Sequence, residues 1–230
     1  MKTIGLIGGM SWESSLEYYR ISNELVKKRL GGSHSCESIM YSVDFEEFEK
    51  LQHEGQWDQL TIKMINIAKK LEKLGAELIL ICTNTMHKMA EEIEQNIKVP
   101  LLHIADAAAE EIRKRRINKV GLLGTKFTME EDFYKKRLKT KHDIDVIIPE
   151  EIEREVIHKI IYKELILGNI KNESREKFKA IINNLQNRGA EGVILGCTEI
   201  PLLIKEKDSS IPVFDTTMLH VKKAIEIALE

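Results

Sequence analysis

Short apolar runs alternate along this chain with longer stretches in which apolar residues recur at three- and four-residue steps. "TIGLIGG" (3–9) is apolar and ends in glycines, which predicts a buried strand. In "SSLEYYRISNELVKKRL", Ser14 and Glu17 stand at capping-box spacing and predict a helix that starts there. "SIMYSVDF" (38–45) predicts a second strand. Trp57, Leu60, Met64, Ile67, Ala68, Leu71 and Leu74 mark one face of a helix. "AELILIC" (76–82) and "VPLLHI" (99–104) read as further strands, and "AAAEEIRKRR" (107–116) as a helix. Strands near 119–123, 144–148, 192–195 and 212–214 follow, separated by helices. Such alternation, with nearly all-apolar strands, implies an α/β fold of parallel sheets covered on both faces.

The pattern also repeats. "GAELILICTNTMH" begins at Gly75 and "GAEGVILGCTEIP" at Gly189, an offset of 114. "IGLIGGMSWES" at 4–14 echoes "VGLLGTKFTME" at 120–130, an offset of 116. Two matches at nearly one offset indicate two copies of one α/β unit. The expected lobes are 1–115 plus 215–230, and 116–214. Under the repeat, Thr83 falls on Cys197 and Cys82 on Gly196. Neighbours on a strand point to opposite faces, so if Cys197 projects into a site, its counterpart is Thr83 and Cys82 packs inside.

Composition narrows the function classes. The chain has 230 residues, a formal charge of −2 and no basic block, which argues against a nucleic-acid partner. The apolar N-terminal run is too short to span a membrane and lacks a cleavage pattern. Cys36, Cys82 and Cys197 are odd in number and widely spaced, which speaks against disulfides and zinc knuckles and for a reducing cytoplasm. Trp12 and Trp57 suit core or interface anchors, Met64 the core, and "KRR" (114–116) a solvated helix end.

In open α/β sheets, ligands gather beyond the carboxyl ends of the strands. Four loops lie there: "GGMSWES", "CTNTMH", "GTKFTME" and "GCTEIP". They offer backbone N–H groups and small hydroxyls to a carboxylate. They contain no GxGxxG, no P-loop and no metal-ligand spacing.

Thr83-Asn84-Thr85-Met86-His87 and Gly196-Cys197-Thr198-Glu199 resemble the paired signatures of the aspartate/glutamate racemase superfamily. "GLIGGMSWES", "HIADA" (103–107) and "VFDT" (213–216) also fit, so the likeness runs end to end. It is strongest toward the bacterial broad-specificity amino-acid racemases. The resemblance implies two pseudo-symmetric Rossmann-like halves around an interdomain cleft, a homodimer, an amino-acid substrate, and racemisation without pyridoxal phosphate, metal or other cofactor. It implies that Cys197 exchanges the Cα proton of the L-enantiomer and that Thr83 stands where a first cysteine is usual. Asn84, Thr85 and Thr198 match residues that hold the α-carboxylate and amino group, and Glu199 follows the aspartate-racemase pattern beside them. Met10 lies in the matching glycine loop, Thr125 matches a substrate-contacting threonine, and Gln52 is assigned to the substrate side chain. Ile166 occupies the place of a lysine that grips a side-chain carboxylate, which favours a broader substrate range. With one cysteine, two alternatives stay open: an arylmalonate-type decarboxylase, in which a lone thiol protonates a carbanion, and a non-catalytic amino-acid binder. For His87, both a loop-satisfying role and a part in a proton relay from Thr83 remain.

Overall fold

A computed structural model describes residues 1–230. The chain forms two compact units, Met1–Ile104 with His220–Glu230, and Ala105–Leu219. The first contains β1 (Ile4–Gly8), α1 (Trp12–Leu30), β2 (Ser38–Ser42), α2 (Phe45–His53), α3 (Trp57–Lys73), β3 (Leu78–Ile81) and α4 (Ala90–Glu94). Its strands are parallel in the order β2-β1-β3. After α5 (Ile104–Lys114) come β4 (Lys119–Gly124), α6 (Lys126–Glu130), α7 (Asp132–His142), β5 (Asp145–Ile147), α8 (Glu151–Lys163) and α9 (Asn172–Asn187). β6 (Gly192–Gly196), α10 (Ile200–Leu203), β7 (Val213–Asp215) and α11 (Thr216–Ala228) complete the chain. The second sheet is parallel in the order β5-β4-β6-β7.

The repeat in the sequence is a repeat of register. Ile4 pairs with Leu78 in one sheet, and Val120 with Gly192 in the other. Glu77 N–H donates to Thr3 O at 2.8 Å, and Glu191 N–H to Lys119 O at 2.9 Å. The helix before each strand ends alike: Gly75 (φ 97°) and Gly189 (φ 92°) take the left-handed turn that glycine tolerates without strain. Ala76 N–H and Ala190 N–H then close back on Leu71 O and Leu185 O, both at 3.0 Å.

A glycine in each central strand lets that helix come close. A Cβ on Gly5 would lie 2.7 Å from Ile79 Cδ1, 2.9 Å from Ala76 Cβ and 3.4 Å from Leu71 Cβ. On Gly121 it would lie 2.8 Å from Leu185 Cδ1 and 3.4 Å from Leu185 Cβ. Apolar clusters cover both faces of the first sheet. Ile7, Ile79 and Ile81 meet Leu60, Met64 and Leu71 on one side, while Ile4, Leu6, Leu78 and Leu80 meet Tyr18 and Val221 on the other. In the second unit, Val193 and Leu195 pack with Ile157, Ile161 and Leu185.

Several expectations change. The strand expected over 99–104 shrinks to one parallel bridge, Ile79 to Leu101. Ile79 N–H still donates to Pro100 O at 2.9 Å, as Val193 N–H does to Pro212 O at 2.9 Å in the other unit. But α5 begins at Ile104, and histidine side chains take the next polar groups of the segment: His220 Nε2 bonds Leu102 O and His87 Nε2 bonds Ile104 N. The capping box at Ser14 and Glu17 does not form. α1 starts earlier, with Ser11 as its N-cap, because Ser15 Oγ accepts from Gly9 N–H at 2.7 Å and donates to Ser11 O at 3.1 Å. Trp12 is exposed rather than a core anchor, whereas Met64 is fully buried. The sequence-drawn borders at 115/116 and 214/215 differ from the unit borders at 104/105 and 219/220. A reason lies in α5, whose Asp106 accepts from Arg137 Nε at 2.7 Å, Arg137 Nη2 at 2.6 Å and His142 Nε2 at 2.9 Å, tying it to α7.

Gly5→Ala and Gly121→Ala should each destabilise the protein by about 1–3 kcal/mol, since the added methyl must displace packed side chains. Urea unfolding midpoints check this, and an unchanged midpoint would mean that the helices do not rest on these glycines.

Candidate active site

Strand parity places the residues that the repeat singles out. Cys82 continues the Leu78 and Leu80 face and is buried among Ile4, Leu6 and Tyr18. Thr83 therefore follows the parity of Ile79 and Ile81, and it is partly exposed. In the second unit, Val193, Leu195 and Cys197 share one face and one apolar cluster. Thr83, and not Cys82, therefore takes the position equivalent to Cys197. Burial alone pushes the Cys82 thiol up, and burial, with the charge of Glu37 adding to it, pushes Cys36 up to about 11, as for inert core sulfurs.

Thr83, Asn84 and Thr85 follow β3 and enter a 3₁₀ turn, Thr85–Met89. Asn84 and Thr85 are buried. Met10, after β1, and Met86 belong to one apolar cluster, and Gln52 Nε2 donates to Met86 Sδ at 3.6 Å. Gln52 is thus drawn to this neighbourhood through Met86, a member of the motif at 83–87 to which sequence reasoning assigned no role of its own. His87 is held from both sides. Nδ1 lies 2.8 Å from Thr83 O and Nε2 lies 3.2 Å from Ile104 N. A carbonyl can only accept and a backbone N–H can only donate, so the ring is the neutral tautomer with its proton on Nδ1. His87 therefore braces the Thr83 turn, and both its nitrogens are engaged by backbone. His103 packs against it, ring centroids 4.5 Å apart.

In the second unit, the pairing of Gly124 with Gly196 brings the loops after β4 and β6 together. Thr125 caps α6, its Oγ1 accepting from Thr128 N–H at 3.3 Å. Cys197 Sγ donates to Glu199 Oε2 at 2.9 Å, and Thr198 Oγ1 donates to the same oxygen at 3.2 Å. All three residues are buried. Burial first, then the charge of Glu199 and the hydrogen bond to it, hold the Cys197 thiol well above its usual range. The resting sulfur is a neutral S–H aimed at a carboxylate. Ile166 lies against the cluster that contains Cys197. No three His, Cys, Asp or Glu side chains converge as a metal site, and no helix is long and apolar enough to cross a membrane.

Comparison with known proteins agrees with this architecture. The profile described as Asp/Glu/Hydantoin racemase matches residues 7–224. The broad specificity amino-acid racemase RacX of Bacillus subtilis (strain 168) is 26% identical over 238 residues, covering 98% of each chain. The crystal structure of a candidate Asp/Glu racemase from Yersinia pestis is 51% identical, with a TM-score of 0.93 over 100% of both chains. An aspartate racemase homologue from Pyrococcus horikoshii OT3 is 44% identical, with a TM-score of 0.86 over 100% of both chains. The protein is thus an enzyme of the racemase type. The chain belongs to the Asp/Glu/hydantoin racemase family.

Replacing Glu199 by Gln removes the negative charge that helps raise the Cys197 thiol, so the pKa should fall while burial keeps it above that of a free thiol. Alkylation of Cys197 by iodoacetamide, followed by mass spectrometry against pH, should then begin at lower pH than in the wild type. An unshifted profile would show that Glu199 does not govern the sulfur.

Proposed function

We propose that the protein racemises an amino acid without a cofactor, Cys197 handling the Cα proton of the L-enantiomer and Thr83 serving the opposite face. The observation that carries this reading is the Cys197 thiol hydrogen-bonded to Glu199 at the end of β6. A neutral thiol is ready to protonate a carbanion. To remove a Cα proton it must first lose its own, and Glu199 is placed to receive it: S–H and carboxylate become thiolate and carboxylic acid. Because burial and the charge of Glu199 hold the thiol well above its usual range, this transfer is uphill and forms part of the reaction barrier. The thiolate then takes the Cα proton, and Thr83 delivers one to the other face.

Threonine is the weaker partner. A hydroxyl resembles water and is far less acidic than a thiol, so a free alkoxide would cost roughly 10 kcal/mol relative to a thiolate. His87 does not relieve this, because its lone pair is engaged by Ile104 N–H. Partial exposure lets Thr83 exchange its proton with solvent as the substrate is protonated. Asn84, Thr85, Thr125 and Thr198 supply amide and hydroxyl groups for the α-carboxylate and amino group, while Met10 and Gln52 line the substrate on the first unit. The neutral resting thiol also suits a second reading, protonation of the carbanion left when a malonate loses CO₂. Release of CO₂ from arylmalonates distinguishes it.

The two enantiomers are isoenergetic in water, so their kcat/KM values must be equal, and asymmetry can show only in isotope exchange, kcat or KM. In heavy water, the L-enantiomer of a substrate should exchange its Cα proton faster than it racemises, because the sulfur side is the better acid–base. NMR for label and chiral chromatography for configuration, run over a panel of amino acids, measure both. Equal behaviour of the two enantiomers without excess exchange would overturn the asymmetry. Cys197→Ser should lower turnover by at least ~10²-fold, the low end for a positioned acid–base. Thr83→Cys should bring exchange from the D-enantiomer toward that from the L-enantiomer, and loss of all activity in a folded Thr83→Cys protein would count against the assignment.

A further inference from the structure

Glu13 is the second residue of α1, three positions beyond Met10. Its Oε2 is enclosed and accepts no hydrogen bond. An enclosed carboxylate oxygen without a donor is unfavourable, and a native fold normally provides one. The other carboxylates beside strand ends already have donors. Asp44 accepts from Glu46 N–H, Glu150 sits in a capping box, Glu199 takes the thiol and hydroxyl described above, and Asp215 accepts from Met218 N–H at 3.0 Å. An acidic residue in the first turn of a helix is favoured by the helix dipole, but the dipole gives no reason to enclose an oxygen while leaving it without a donor.

The loop before α1 is held firmly. Ser15 Oγ joins Gly9 N–H and Ser11 O, so the chain from Gly9 to Glu13 is fixed beside the end of β1. The neighbouring strand β3 leads into Thr83, Asn84 and Thr85. Their hydroxyl and amide groups suit a carboxylate but carry no charge to match an ammonium. We propose that Glu13 is a substrate-binding residue whose enclosed oxygen accepts from the α-ammonium group of the amino acid. This rests on the reading of the protein as an amino-acid racemase and adds a counter-charge on the first unit, where Thr83, Asn84 and Thr85 carry none. Holding the ammonium fixed also favours the reaction, since a cationic nitrogen beside Cα stabilises the carbanion.

The test compares matched ligands with and without the ammonium: L-aspartate with succinate, and L-norleucine with hexanoate. Dissociation constants come from calorimetry, and KM from exchange in heavy water. Glu13→Gln keeps the shape and removes the charge. It should weaken binding of the amino acid by about tenfold or more, the scale of one charge-assisted hydrogen bond, while binding of the matched acid stays within about twofold. Glu13→Asp should retain part of the selectivity, and it carries the same comparison if Glu13→Gln does not fold. Equal weakening of both members of a pair would overturn the proposal by showing a merely structural role. Unchanged amino-acid binding would overturn it directly. A wild-type protein that neither binds nor exchanges any amino acid would overturn instead the racemase reading beneath it.

Discussion

A helix lying against a bare strand backbone is the contact on which each unit is built. Leu71 rests over Gly5 and Leu185 over Gly121, at separations that a methyl group would close. This close approach fixes where α3 and α9 end, and the positive-φ glycines Gly75 and Gly189 turn the chain straight into β3 and β6. Strand parity then does the rest. Once the register against β1 and β4 is set, Thr83 and Cys197 must emerge on equivalent faces, with Cys82 and Gly196 on the others. The position of two side chains thus follows from packing several residues away.

The two copies of this scaffold carry unlike chemistry. On one side, a buried sulfur faces a carboxylate that also receives a threonine hydroxyl. On the other, a hydroxyl stands at the edge of solvent, and the nearest imidazole is committed to backbone. The first arrangement couples two ionisable groups across one hydrogen bond. In the second, the histidine of the turn braces the backbone, its Nδ1 on Thr83 O and its Nε2 on Ile104 N. Pseudo-symmetry of the backbone therefore coexists with asymmetry in the groups that follow β3 and β6.

Much of this was legible in the chain. Apolar runs marked β1, β3, β4 and β6 because these strands are buried on both faces and leave a continuous signal. The repeated glycines exposed the duplication, and the duplication separated Thr83 from Cys82. The segment 99–104 misled because a single bridge and a full strand share one apolar pattern. What shortened it was the early start of α5 and the two histidines that took its polar groups, which are tertiary effects. The start of α1 was misplaced for a similar reason: Ser15 closes the turn on Gly9 and Ser11, a contact that a local capping rule does not describe. Cys197 could be found from its motif, but its bond to Glu199 could not, since two residues of spacing do not reveal that both side chains turn to one point. Glu13 lay within a loop already singled out, yet an acid near a helix start is commonplace until its oxygen is seen to lack a donor.

The protonated state of the sulfur has a chemical corollary. Hydrogen peroxide attacks thiolate far faster than thiol, and the first product, a sulfenic acid, opens the way to irreversible oxidation. Cys36, Cys82 and Cys197 are all held in the thiol form, the first two chiefly by burial and the last also by an adjacent negative charge. The carboxylate beside Cys197, by raising its thiol, therefore also lowers the share of thiolate open to oxidants.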